Sequence, residues 1–328
     1  MIRNQWYVVL LPKELPKNKP IGTTRMGEKL VFWRNKDGTI GCIADRCCHR
    51  GVSLSKGKII SKHVECPFHG FQYDVTGKVQ LIPAIGKNET VPDRYRVVAY
   101  PAREAHGFIW IWWGEPRGEY PPIQFFEGLD AFRYHTVPDH WNAHYSRVIE
   151  NQLDVVHLPF VHHNTIGRGN RTLVNGPAVK WNAEKNKLSL WVFNQKDDGK
   201  TRSRRPEDIA DAELEGAPVL HFIFPNIWLN DIGKKIKLVA AFTPVDEHNT
   251  ILYLRTYQRI TRIPGVKGLF NWMMKRGNLT IAHQDRRVVI TQEPKISTLK
   301  GDEQLIQGDF PIILYRRHRQ ELIDRTKN

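Results

Sequence analysis

Short apolar or alternating runs, mostly no longer than six residues, dominate the first third of the chain. Lys29–Arg34 and Thr39–Ala44 flank Lys36-Asp37-Gly38, whose Asp-Gly step is a tight hairpin signal. Further strands are predicted at Val64–Cys66, Phe71–Asp74, Arg96–Tyr100 and Phe108–Trp113, with Val75-Thr76-Gly77-Lys78 as a closing turn. The Pro/Gly-rich stretch Arg117–Pro122 then breaks the pattern, which divides the chain into domains 1–116 and 117–328. Beyond it, strands at Leu188–Phe193, Val219–Phe224, Lys237–Phe242 and Ile251–Gln258 are mixed with at least two helices. The first helix is predicted over His144–Leu158, ended by Pro159; the second over Val266–Thr291, with Gly277 as a weak point and Pro294 beyond its end. The expected fold class is α+β.

Composition changes this picture little. Of 328 residues, 41% are hydrophobic, and neither a repeat nor a low-complexity tract suggests disorder. The apolar run Phe108–Trp113 is far short of the roughly 20 residues that span a bilayer, so no membrane association is expected. The first residues lack a signal-type apolar block, and a cytoplasmic location is expected.

Charge asks for more. Lys and Arg outnumber Asp and Glu by 49 to 34, a formal +15. The basic residues are scattered, with local clusters only at Arg202–Arg205 and Arg316–Arg319, neither in a nucleic-acid-binding module. No nucleic-acid partner is expected; solvated surface is the commoner cause of such clusters, and steering toward an acidic electron-transfer protein is a further reading.

All four cysteines, Cys42, Cys47, Cys48 and Cys66, fall within 25 residues. Cys47-Cys48-His49 and Cys66-Pro67-Phe68-His69 form a C-x-H and a C-x-x-H pair sixteen residues apart. Two thiolates and two imidazoles suit tetrahedral zinc or a two-iron cluster. Zinc fingers usually offer a cysteine pair and then a histidine pair on a helix; here each half supplies one of each from a β-rich loop, as a Rieske cluster requires. Gly51 and Gly70 let backbone N–H groups approach the sulfides. Cys42 and Cys48 read as unligated thiols.

The segment from Cys47-x-His49-Arg50-Gly51 to Cys66-Pro67-Phe68-His69-Gly70-Phe71-Gln72-Tyr73-Asp74 resembles the Rieske domain of aromatic-ring hydroxylating oxygenases and related demethylases. It departs from the common pattern twice: Cys48 stands where proline is usual, and Phe71 where tryptophan is. High-potential Rieske proteins carry an extra cysteine in each ligand loop; here Phe68 fills the second of these places, which implies a lower-potential cluster.

A second constellation lies downstream. Asn151, Asp154 and His157 recur every three residues on the predicted helix, and His162 follows Pro159, where a turn would aim both imidazoles at one point. Asp-x-x-His-x-x-x-x-His is similar to the catalytic-iron motif of the same family. The resemblance implies His157, His162 and Asp285 as ligands of a mononuclear Fe(II), with positions open for dioxygen and substrate. Spacing favours His162 over its neighbour His163. Asp154 is expected to accept a hydrogen bond from an imidazole and, by resemblance, to link the iron to the Rieske histidine of a neighbouring subunit, which implies a head-to-tail homotrimer. Asn151 is either an amide near the iron or an ordinary helix residue.

The resemblance extends over both domains, including Trp6-Tyr7 and Gly107–Trp112. It implies a catalytic domain built as an antiparallel sheet flanked by helices, helix-grip-like. It also implies an oxygenase component using O2 and electrons from a ferredoxin or flavin reductase. Its details favour the vanillate O-demethylase type, which hydroxylates or demethylates a small aromatic or polycyclic substrate, over ring cis-dihydroxylation; an electron carrier with only the Rieske centre would leave some two hundred residues unexplained. Leu153, Val161, Phe224, Asn226, Trp228 and Trp272 are candidates for a substrate pocket or plain core, and Arg204 and Arg205 for an anionic substrate.

Overall fold

The computed structural model describes residues 1–326 apart from Pro218 and residues 261–265; the side chains of residues 266, 267 and 269 also lie outside the description. The chain forms two compact units: Met1–Ile123 with Pro244–Asp246, and Gln124–Thr243 with the chain from Glu247 onward.

The first unit is strand-rich because its apolar runs are short and bounded by turn residues. Phe108–Trp113, buried at every position, pairs antiparallel with Gln5–Leu10 on one side and Ala102–Ala105 on the other. Ile21–Arg25, Glu28–Arg34 and Ile40–Ala44 make a second antiparallel sheet through the expected hairpin. A third, of Lys58–Ile60, His63–Glu65, Gln72–Tyr73 and Val79–Leu81, carries one cluster loop at its centre. The unit extends past the Pro/Gly-rich stretch: the indole N–H of Trp6 donates to the Pro121 carbonyl at 2.8 Å, and Tyr120 packs edge-on against Trp112.

The strand expected at Arg96–Tyr100 does not form. Its residues make only single bridges, Lys78 with Arg96 and Ile43 with Ala99, because the segment changes partner along its length.

In the second unit a seven-stranded sheet runs in the order Arg133–Trp141, Thr250–Gln258, Ile236–Pro244, Ile227–Gly233, Val219–Ile223, Lys187–Trp191, Ala178–Trp181. The helices are α1 (Tyr145–Leu153), α2 (Leu158–Val161), α3 (Asp211–Leu214), α4 (Val266–Val289) and α5 (Phe310–Asp324). Phe222 and Phe224 meet Tyr315 of α5 at ring separations of 5.6 and 5.7 Å, seating that helix on the sheet. Arg286 of α4 reaches Asp139 at 3.1 Å and the His140 carbonyl at 2.9 Å, both on the edge strand.

Two expectations for the helices need correction. The first helix ends at Leu153, because Asp154 takes an extended conformation (ψ 126°). The second runs unbroken through Gly277 as the 24-residue α4.

A third correction concerns Arg316–Arg319. Arg316 and Arg319 are buried on one side of α5, while Arg317 is exposed. The buried Glu150 of α1 accepts from Arg316 Nε at 2.7 Å and Nη2 at 3.0 Å, and from Arg147 Nη1 at 2.9 Å. Arg319 donates to the Ser297 carbonyl at 3.1 Å and the Tyr145 hydroxyl at 3.2 Å. Three-residue spacing puts both arginines inward, and Glu150 and Tyr145 lie over a hundred residues away in sequence, out of reach of a local reading.

Candidate metal centres

The two cluster loops are the same turn built twice. In each, the cysteine carbonyl accepts from the glycine four residues on, Gly51 at 2.9 Å and Gly70 at 3.1 Å. In each, the cysteine N–H donates to the residue five on, Val52 or Phe71, at 2.8 Å. Both glycines sit in the left-handed region, at φ 73° and 72°, where a side chain would be strained.

The loops bury Cys47 and Cys66 and leave His49 and His69 exposed, with imidazole centres 4.8 Å apart and Phe71 stacked on His49. Burial pushes the Cys66 thiol up, and the neighbouring Cys47 thiol adds to it. Dry thiols facing each other ionise readily only if a cation takes up their charge. Sulfur on the inner side and nitrogen on the outer is the donor set of a cluster whose two irons are ligated differently. The Tyr73 hydroxyl lies 3.1 Å from Cys47 Sγ and 3.2 Å from Cys48 Sγ, and accepts the Cys48 N–H at 3.0 Å. Cys42 is fully buried in the core, and burial raises its thiol well above the usual range.

The second centre is assembled by a break in the helix. Asp154 Oδ1 accepts the N–H groups of Val156 at 2.6 Å and His157 at 3.2 Å, a tight Asx-type turn just before the single turn of α2. Asn151, Asp154 and His157 are therefore not rungs of one helix, as their spacing suggested; Asp154 caps the turn that presents His157. Pro159 sits in the first turn of α2, where its missing N–H costs nothing, and His162 follows the last residue. One helical turn thus separates the two imidazoles.

Asp285 arrives from α4. One ligand atom each from His157, His162 and Asp285 lies within 4.8 Å of the others. His162 Nε2 is 2.9 Å and His157 Nε2 3.5 Å from Asp285 Oδ1. Despite that proximity Asp285 Oδ1 is buried without a well-aligned hydrogen bond. Lone pairs directed at a common point, not at one another, give this arrangement, and a buried carboxylate oxygen without a partner is costly unless a cation occupies that point. The residues fit a mononuclear metal.

The surroundings of the triad divide the other expected residues. Asp154 Oδ2 lies 3.6 Å from His157 Nδ1, slightly long for a hydrogen bond. Burial alone would raise the Asp154 carboxyl, but the His157 imidazole and the two N–H groups hold it below the ordinary range. Asn151, on the last turn of α1, has a buried Nδ2 without a partner. His163 is exposed, its Nδ1 3.1 Å from the Phe160 carbonyl.

Of the pocket candidates, Leu153, Phe224, Asn226 and Trp228 are buried, Val161 is half-buried, and Trp272 is 52% exposed with Arg276 over its ring. Arg204 is engaged with Glu213 at 2.9 and 3.2 Å, whereas the exposed Arg205 side chain makes a loose 3.8 Å pair with Glu207. Gln284, which the spacing did not single out, lies 2.8 Å from His162 Nδ1. Its position next to Asp285 was the one signal available.

Fold and site define a two-domain protein that carries a pair of Rieske-type ligand loops and a mononuclear metal triad. Residues 5–100 match the Rieske [2Fe-2S] domain, and residues 141–325 match the Vanillate O-demethylase oxygenase C-terminal domain; the chain belongs to that oxygenase family. Its cofactors are the [2Fe-2S] cluster and a mononuclear iron.

The chain is 32% identical over 170 residues to a putative toluene-4-sulfonate monooxygenase system iron-sulfur subunit of Comamonas testosteroni, covering 51% of this chain and 48% of that protein. It is 34% identical over 164 residues to the oxygenase component of dicamba O-demethylase from Stenotrophomonas maltophilia, covering 49% and 48%. The matches thus span about half the length of these curated relatives. In fold it is similar to NdmA of Pseudomonas putida, with a TM-score of 0.78 at 23% identity over 99% of this chain and 92% of that one. It is likewise similar to dicamba monooxygenase bound to dicamba, with a TM-score of 0.73 at 21% identity over 99% and 98%. Among the described residues no helix is long and apolar enough to cross a membrane.

Proposed function

We propose that this chain is the terminal oxygenase of a multicomponent system, taking electrons from a ferredoxin or flavin reductase and using O2 to hydroxylate or demethylate a small organic substrate. The observation that carries the reading is the convergence of His157, His162 and Asp285 in a chain that also holds the Rieske loops. When bound, the cluster supplies single electrons and the iron supplies a site for dioxygen activation beside substrate.

The residues have distinct tasks in this reading. Cys47 and Cys66 would hold the cluster from the buried side, and the exposed His49 and His69 would hold it from the surface, within reach of a redox partner. His157, His162 and Asp285 would hold the mononuclear iron with three protein ligand atoms. Asp154 aligns His157 and, in a homotrimer, connects it to the histidine of a neighbouring copy's cluster. Asn151 offers a buried amide beside that path. The relatives named toluene-4-sulfonate monooxygenase and dicamba O-demethylase support monooxygenation of a methyl or methoxy group on a compact ring.

Reduced enzyme should be assayed with a panel of methoxybenzoates, arylsulfonates and N-methyl heterocycles. Formaldehyde or hydroxylated product in step with O2 uptake is expected from at least one class. O2 consumption that no substrate stimulates, and that His157→Ala leaves unchanged, would contradict the proposal.

A further inference from the structure

Nε2 of His162 faces Asp285 at 2.9 Å, so Nδ1 points away from the triad, and Gln284 Oε1 lies 2.8 Å beyond it. A neutral imidazole carries one proton. If Nε2 is to give its lone pair to a metal, Nδ1 must hold that proton, and it then needs an acceptor.

The Gln284 amide is held at both ends. Thr165 Oγ1 donates to its Oε1 at 2.9 Å, and its Nε2 donates to Asn164 Oδ1 at 2.9 Å. Turned over, the amide would present N–H to the ring and favour the opposite tautomer, with the proton on the nitrogen that faces the metal. Asn164 and Thr165 directly follow the ligand-bearing turn, and Gln284 directly precedes Asp285. One side chain therefore ties together the two segments that deliver ligands. His157 is backed differently, by the Asp154 carboxylate at 3.6 Å.

We propose that Gln284 is a positioning residue for the mononuclear metal: its amide oxygen holds His162 in the Nδ1–H tautomer, and Asn164 and Thr165 keep that oxygen against the ring. This rests on reading the triad as the iron site. Gln284 and Asn164 also line a surface cavity of about 390 Å³ with His163, Thr280, His283 and Arg287. Water can therefore satisfy Asn164 when Gln284 is replaced, which separates loss of the tautomer from loss of folding.

The test uses the full chain with its cluster in place, stripped of mononuclear metal by chelator and retitrated with Fe²⁺ or Zn²⁺ against a chromophoric competitor. Removing such an outer hydrogen-bond partner weakens metal affinity about 10–100-fold, which is the loss expected for Gln284→Met. Gln284→Glu keeps the acceptor and should retain affinity, while the cluster's electron paramagnetic resonance spectrum stays unchanged in both. Equal affinity in Gln284→Met and wild type would overturn the proposal. So would Gln284→Glu weakening as much as Gln284→Met. Metal binding that His157→Ala leaves intact would instead remove the triad reading, and the proposal with it.

Discussion

At the scale of single residues, Asp154 has two jobs that one substitution can separate. Its Oδ1 accepts the Val156 and His157 N–H groups of the turn before α2, and its carboxylate faces His157 Nδ1. Alanine would remove both and disturb the ligand itself. Asparagine keeps an acceptor for the turn and removes the charge. Asp154→Asn is expected to bind both metals normally, as read by metal content and cluster spectrum, while coupled turnover falls by a factor on the order of ten or more, given the usual weight of such outer partners. Wild-type turnover in this variant would reject the connecting role.

His144 gives a pH-dependent counterpart. It caps α1, with Nδ1 accepting the Ser146 N–H at 3.3 Å and lying 2.7 Å from the Ser146 hydroxyl. Burial, and then Arg319, push its pKa down to about 3 from 6.5. The unfolded chain therefore takes up a proton below 6.5 that the folded chain refuses. Stability falls as pH drops from 6.5 toward 3, and asparagine, a good cap that does not titrate, should remove that part of the decline. Urea midpoints over this range measure it; an equally steep fall in His144→Asn would contradict the assignment.

At the scale of elements, α1 and α5 are joined through buried charge. Glu150 is the shared acceptor of Arg147 and Arg316, with Ser297 also donating to it. Glu303 also accepts from Arg147 at 2.8 Å and from Arg316 at 2.7 Å, so Glu150→Ala removes one of two carboxylates from each buried cation and should lose about 1.5–3 kcal/mol of stability in denaturant titration. A loss below about 1 kcal/mol, the range of exposed pairs, would mean that the network is solvated.

The same elements mark what was legible beforehand. Hairpin and ligand loops were readable because turn residues and ligand spacing are local: Asp37-Gly38 and Cys66–Gly70 each carry their own geometry. The break at Asp154 was not, since Asn151, Asp154 and His157 satisfy helical spacing, and only the Asx-type turn decides against it. Helix α5 was missed because Arg316 and Arg319 look like solvent-facing charge until Glu150 is known to lie opposite. Gln284 escaped for a related reason: its partner His162 is 122 residues away.

At the scale of the whole molecule, a chain of formal charge +15 with its cluster imidazoles exposed is suited to an acidic redox partner. Long-range attraction of this kind is screened over about 10 Å at 0.1 M salt. Stopped-flow reduction of the cluster by an acidic ferredoxin should slow as salt rises; a rate independent of salt would remove charge steering from the account.

Whether one chain holds two different iron centres is decided by metal analysis paired with spectroscopy. About three irons per chain are expected, with the rhombic signal of a reduced Rieske cluster, and selective loss of one iron in a His162→Ala variant that keeps that signal. Zinc in place of iron, or two irons with none lost in the variant, would contradict the two-centre reading.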